Sequence, residues 1–184
     1  MKPRNPQRPL WFTSLRRVLC GLVVAVAVAG SVSKKADHVQ ISNRFIGLIE
    51  QFEGFRAQCY QDTGGVWTIG YGHACPAGDP LRAATLTREQ AEALLRQDVQ
   101  HAVEAVNMNV TVLLKQEQFD ALVDFAFNVG VNAFKNSTLL RKLNAGHCCA
   151  VPDQLRKWNR DNGQVIAGLI ARRNAEIALY VGDC

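Results

Sequence analysis

The sequence predicts an α+β domain with one small sheet near its start and a helical majority. Three observations carry that expectation. Apolar residues recur at three- and four-residue intervals from Ile41 onward, two aromatic-rich runs flank the turn-forming "DTGG" at 62–65, and the chain beyond residue 36 is long enough to bury one real core. With 48% of the 184 residues apolar and 20% charged, a disordered or fibrous chain is excluded.

The first 35 residues stand apart. They hold Lys2, Arg4, Arg8, Arg16, Arg17, Lys34 and Lys35 and no acid, which leaves 14 basic against 16 acidic residues in the remainder. The formal net charge of +5 therefore describes a leader, and the rest of the chain carries about −2. That argues against nucleic acid as a partner, because a phosphate-binding domain needs Lys and Arg clustered on its own folded face. Within the leader, "VLCGLVVAVAVAGSVS" (18–33) is uncharged and weakly apolar, and seven of its sixteen residues are Gly, Ala or Ser. As a helix it would span roughly 24 Å, short of a comfortable membrane crossing. It suits export with a loose hold on the bilayer, while "AVA" (27–29) followed by Gly30 also fits a signal-peptidase site. Residues 1–36 are thus expected to be a basic leader with a signal anchor or signal peptide, and residues 37–184 the folded domain, at work outside the cytoplasm. Retention of the segment is favoured over cleavage.

Six cysteines, Cys20, Cys59, Cys75, Cys148, Cys149 and Cys184, suit an oxidising compartment. Removal of the leader would leave an odd number, and retention of Cys20 restores an even one. Spacing does not fix the pairing. His147 beside Cys148 and Cys149 has no second ligand pair at zinc-finger spacing, so no metal is expected.

The elements follow in order. Ile41, Phe45, Leu48 and Phe52 lie on one helical face, and Gly54 stops that helix one residue after Glu53. "RAQCYQ" and "VWTIGY" pair across "DTGG" as a β-hairpin, with Asp62 opening the turn and Thr68 on the returning strand. Prolines and a glycine mark residues 75–86 as a loop, and Thr87 with Gln90 has capping-box spacing. Ala91, Leu94, Val99, Ala102 and Val106 form one further stripe. "FDALVDFAFNVG" (119–130) is apolar around most of its circumference, as a central helix would be. Three shorter helices are expected after it: "STLLRKLNAG" ending at Gly146, one around 154–158, and one through "LIARRNAEIALY".

Glu53, Asp62 and Thr68 combine into a specific chemistry. Hydrolysis of a glycosidic bond needs a proton donor for the leaving oxygen and a second carboxylate on the other face of the sugar. A carboxylate on a rigid helix end and another on an adjacent hairpin can be held apart across a cleft. Phe52 and Phe55 are expected to keep Glu53 in apolar surroundings that favour its protonated form. A threonine hydroxyl both donates and accepts, so Thr68 can hold a water against Asp62.

The stretch "FEGFRAQCYQDTGGVWTIGYGH" (52–73) resembles the active-site region of phage-type lysozymes, glycoside hydrolase family 24, whose pattern is Glu, eight residues, Asp, five residues, Thr. "QFDALVDFAFNVG", "NSTLLRKLNAG" and "GLIARRNAEIALY" match further family blocks, so the resemblance spans about residues 40–182. It implies a lysozyme-like fold with a small β lobe, a mainly helical lobe and the cleft between them. The implied activity is that of a muramidase, an endolysin that cleaves the β-1,4 bond between N-acetylmuramic acid and N-acetylglucosamine in peptidoglycan, with inversion and without a metal or organic cofactor. Glu53 is the implied general acid, and Asp62 the base that activates water with Thr68. His73, Phe127, Asn128 and Ser137 match cleft positions, and Arg172 matches an arginine that approaches the glutamate. The implied partners are glycan strands, the export machinery and the inner membrane, for a monomeric enzyme in the periplasm of a bacterial host.

The leader in turn resembles that of signal-arrest-release endolysins, whose N-terminal helix is exported uncleaved and later leaves the membrane. Cys20 and Cys59 are the implied regulatory thiols, with exchange between them switching the enzyme on. Two other readings stay open. A lytic transglycosylase would need only the acid, and an inactive wall-binding protein would need none of Glu53, Asp62 and Thr68.

Overall fold

Ser42 opens the first helix. Its hydroxyl oxygen accepts from the Arg44 amide at 3.1 Å and caps α1 (Asn43–Glu53), while its own amide and hydroxyl donate to the buried carboxylate of Asp120. The computed structural model describes residues 38–62 and 64–181, all within a unit that begins at His38. Helix α1 buries Phe45, Ile46, Leu48 and Ile49, and Gly54 ends it with φ 67°, a value that favours glycine.

The expected hairpin is there, with a strand added. β1 (Arg56–Gln61), β2 (Trp67–Gly70) and β3 (His73–Ala74) form an antiparallel sheet in that order, with Gln61 opposite Trp67, Tyr60 opposite Thr68 and Thr68 opposite Ala74. Cys59 is bonded to Cys75, whose amide donates to the Trp67 carbonyl at 2.8 Å. This corrects the expectation of Cys59 as a thiol for Cys20: the register sets residues 60, 68 and 74 side by side, which brings their neighbours Cys59 and Cys75 within bonding reach. Cys20 and the rest of the leader lie outside the described residues. A Cβ at Gly70 would sit 3.2 Å from the Ala91 Cβ, so glycine there permits the sheet to close on the next helix.

In the loop that follows, Asp79 caps a 3-10 turn, Pro80–Ala83. The predicted capping box opens α2 (Arg88–Asp98), with reciprocal bonds of 3.2 and 2.8 Å between Thr87 and Gln90. The stripe expected to be continuous is divided at Val99 between α2 and α3 (Gln100–Asn109), because Val99 sits fully buried at the junction with ψ near −5°. The central helix α4 (Gln116–Val129) packs against α1, α3, α5 (Val131–Lys135) and α8 (Ala167–Tyr180). Its ring Phe125 meets Phe134 and Trp158 edge-on. Helix α6 (Thr138–Asn144) matches expectation, whereas α7 (Val151–Leu155) begins earlier than predicted, with Pro152 in the first turn, where a missing N–H costs nothing.

A second hairpin, β4 (Arg160–Asp161) with β5 (Gln164–Val165), was not expected. Asn162 and Gly163 both have positive φ, as a two-residue turn of this hand requires, and the Asn-Gly pair carried that signal in the sequence. Among the described residues, no helix is long and apolar enough to cross a membrane.

The Cys59–Cys75 bond closes a span of 16 residues around Asp62 and Thr68. Cys75→Ser is expected to cost about 3 kcal/mol of unfolding free energy by the chain-entropy relation, read as a lower urea midpoint, and a reductant should lower the wild-type midpoint to the same value.

Candidate active site

Glu53 ends α1 beside a cation that the helical body supplies. Arg172 on α8 donates from Nη1 to Glu53 Oε1 at 2.6 Å, and from Nε and Nη2 to the two oxygens of Asp124 at 3.0 and 2.6 Å. Asp124 on α4 is fully buried and the Arg172 side chain is 6% exposed, whereas the Glu53 side chain is 32% exposed. Burial alone would lower the guanidinium's pKa, yet the hydrogen bonds and charge of Asp124, and then of Glu53, hold it above its ordinary value. The Phe52 ring lies 5.5 Å from this guanidinium. This corrects the expectation of purely apolar surroundings for Glu53: a guanidinium stands against its carboxyl group, Phe52 faces that guanidinium, and Phe55 packs against Tyr71 and Arg88.

A second buried pair adjoins the first. Arg173 donates to Asn128 Oδ1 at 2.8 Å and to the carboxylate of Glu176, and its guanidinium carbon lies 5.2 Å from the Phe125 ring centre. Burial lowers the Arg173 pKa despite the charge of Glu176. Burial also raises Glu176 well above the usual carboxylate range, and the negative charge of Asp124 adds to that. Asn128 lines a depression of about 520 Å³ with Val129, Trp158, Arg160 and Asp161.

Asp62 is held by backbone. Its Oδ1 accepts from the amides of Gly64 at 2.9 Å and Val66 at 2.8 Å, fixing the carboxylate at the mouth of the turn. Thr68 on β2 is 6% exposed, and its hydroxyl has no hydrogen-bond partner among the described residues. Between the strands and Glu53 stands Gly72, with φ 89°, where a Cβ would lie 4.0 Å from Glu53 Oε2.

Other predicted positions have visible structural duties. His73 Nδ1 lies 2.9 Å from Asp98 Oδ1, tying β3 to α2. Phe127 is half-buried, with its ring 6.0 Å from that of His101. Ser137 is buried and caps α6 through the Leu140 amide at 3.0 Å. Glu53 and Arg172 are brought into direct contact, and Asn128 bonds Arg173, the next residue along α8. Sequence reasoning missed Asp124, Arg173 and Glu176. Two acids on α4 within an apolar run, Asp120 and Asp124, were the available signal, since they share one face at a spacing of four.

Residues 50–176 match the sequence model of the family described as phage lysozyme. The chain belongs to the phage lysozyme family. It is 43% identical over 145 residues to an endolysin of Bacillus phage B103, covering 78% of this chain but 54% of that relative, so the chain spans about half the length of that protein. It is 37% identical over 124 residues to a SAR-endolysin of bacteriophage PS119, covering 67% of this chain and 73% of the relative. Among solved structures it resembles the muramidase domain of SpmX from Asticaccaulis excentricus at 44% identity and TM-score 0.68, covering 78% of this chain and 98% of that one. The fold of this family member is lysozyme-like and α+β, as the sequence resemblance implied.

A clamp closes the hairpin onto α1 and α2. Tyr71 donates its hydroxyl proton to Glu50, Arg88 Nη1 donates to the same carboxylate at 2.9 Å, and Phe55 stacks with both Tyr71 and Arg88. Burial first, then the hydrogen bond and charge of Glu50, push the Tyr71 hydroxyl from 10.0 up to about 12. A pKa raised on folding stabilises fully below the unfolded value, and that stabilisation is lost as pH rises through the folded one. Tyr71→Phe should therefore flatten the pH dependence of Tm between pH 10 and about 12 relative to wild type, as measured by thermal melts across that window.

Proposed function

We propose that the chain is a muramidase that hydrolyses the β-1,4 bond between N-acetylmuramic acid and N-acetylglucosamine in bacterial peptidoglycan and so acts as an endolysin. The observation that carries this is Glu53 at the rigid end of α1, gripped by a buried arginine, next to a hairpin that carries Asp62 and Thr68 at the family's spacing. Protonated Glu53 gives its proton to the leaving glycosidic oxygen. Asp62 takes a proton from a water that adds to the anomeric carbon from the opposite face, so a β-linkage yields an α-product. The buried Thr68 hydroxyl supports a role in orienting that water. His73, Phe127, Asn128 and Ser137 are proposed to line the glycan cleft, and the enzyme is proposed to work as a monomer without a cofactor.

Glu53→Gln keeps the side chain's shape and removes the proton, so it should fold normally and lose wall lysis at least 100-fold, as followed by turbidity of outer-membrane-permeabilised cells. Asp62→Ala should be similarly crippled. NMR of the first-formed wild-type product should show the α-anomer. Lysis by folded Glu53→Gln would remove the proposed acid, and an anhydro product would assign a transglycosylase.

Residues 1–36 are proposed to export the domain to the periplasm and tether it to the inner membrane. The weakly apolar 18–33 segment supports a tether that can be released, as does the likeness to a SAR-endolysin. The mature protein should begin ahead of Gly30 and move from membrane to soluble fractions with time. Gly21→Leu with Gly30→Leu should delay lysis, whereas a mature N-terminus at Gly30 would rule the tether out.

A further inference from the structure

The proposed acid changes charge during each turnover, and its nearest cation is buried. When Glu53 holds a proton, Arg172 needs another counter-ion, because an unpaired guanidinium in this position would be strongly unfavourable. Asp124 supplies one. It occupies two of the guanidinium's donor nitrogens, Nε and Nη2, and leaves Nη1 aimed at Glu53 Oε1. The fork is held in plane by that bidentate pairing and flanked by the Phe52 ring.

We propose that Asp124 is a positioning residue for Glu53: through Arg172 it holds one N–H donor where negative charge appears as Glu53 gives its proton away. The inference rests on Glu53 being the acid. The charge of the surrounding cluster fits. Glu53, Asp124 and Glu176 face Arg172 and Arg173, three carboxyl groups against two guanidiniums, so the cluster is neutral when Glu176 carries a proton. Both oxygens of Asp124 are taken by Arg172, whichever form Glu53 is in. The position of Asp124 is fixed by α4, on which Asp120, one turn earlier, also grips the start of the helix that bears Glu53. The donor meets a carboxylate better than a carboxylic acid, which is the requirement for stabilising the transition state over the ground state.

The test is a kinetic double-mutant cycle on soluble glycan strands, with kcat and KM measured separately on protein shown to be folded by circular dichroism. Asp124→Asn should lower kcat about 10- to 100-fold with KM within about twofold, the size of one lost charge-supported hydrogen bond. In an Arg172→Ala background the same change should have no further effect on kcat. A merely structural aspartate would lower Tm in both backgrounds and leave kcat of the folded fraction alone. Arg172→Lys covers the case in which Asp124→Asn does not fold. It keeps the charge but cannot engage Asp124 in two bonds and Glu53 in a third, so it should show the same kcat loss. Wild-type kcat in folded Asp124→Asn or Arg172→Lys, or losses that multiply in the cycle, would overturn the proposal. Activity in Glu53→Gln would instead overturn the assignment of the acid on which it rests.

Discussion

Arg172 stands buried between two carboxylates, and much of the fold is arranged to keep it there. Its stem comes from α8, one partner from the middle of α4 and the other from the end of α1. Helix α4 acts as the common reference. Asp120 takes the amide and hydroxyl of Ser42 at the start of α1, and Asp124, one turn along the same face, takes the arginine that meets the end of α1. Both ends of an 11-residue helix are thereby indexed to a single surface. Burying ions carries a desolvation cost that attraction only partly offsets, so a cluster of this kind is weak evidence for stability. Its value lies in placement.

The opposite carboxylate is held by other means. Asp62 depends on two amides of its own turn, and the turn depends on glycines that admit positive φ and close approach. The sheet is three short strands, the last only two residues long. It gains its footing from Gly70 against Ala91, from His73 against Asp98, and from the Glu50, Tyr71 and Arg88 clamp. One acid is set by long-range ionic contacts within the helical body, the other by hydrogen bonds spanning four residues.

That difference governs what the sequence reveals. Local devices are legible: the Gly54 stop, the Asp62 turn and the Thr87–Gln90 box follow from residues within a few positions of one another, and each is present. The break at Val99 is not, since the same apolar stripe serves a continuous helix or two abutting ones, and packing against α4 decides. The Asn162–Gly163 turn lies between two expected helices, and the Asn-Gly pair is its local signal. Asp124 and Glu176 have no such local signal, because nothing near them in the chain announces an arginine 48 residues from Asp124. The resemblance to phage lysozymes singled out Arg172 without its partner. The side chains proposed to carry the chemistry have a spacing signature, while those that hold them have only a fold.

The disulfide bears on motion as well as on stability. The three strands bury one large apolar side chain, Ile69, and regions with few buried apolar contacts open independently of the rest, at a free energy below that of global unfolding. Tying Cys59 to Cys75 spans the turn and all of β2, so the strands that carry Asp62 and Thr68 cannot part fully while the bond lasts. Fluctuations that would expose the amides of Gly64 and Val66 become breathing motions within a closed ring. The side of the site proposed to handle water then keeps its shape on the timescale of local opening, where its own few hydrogen bonds would not suffice.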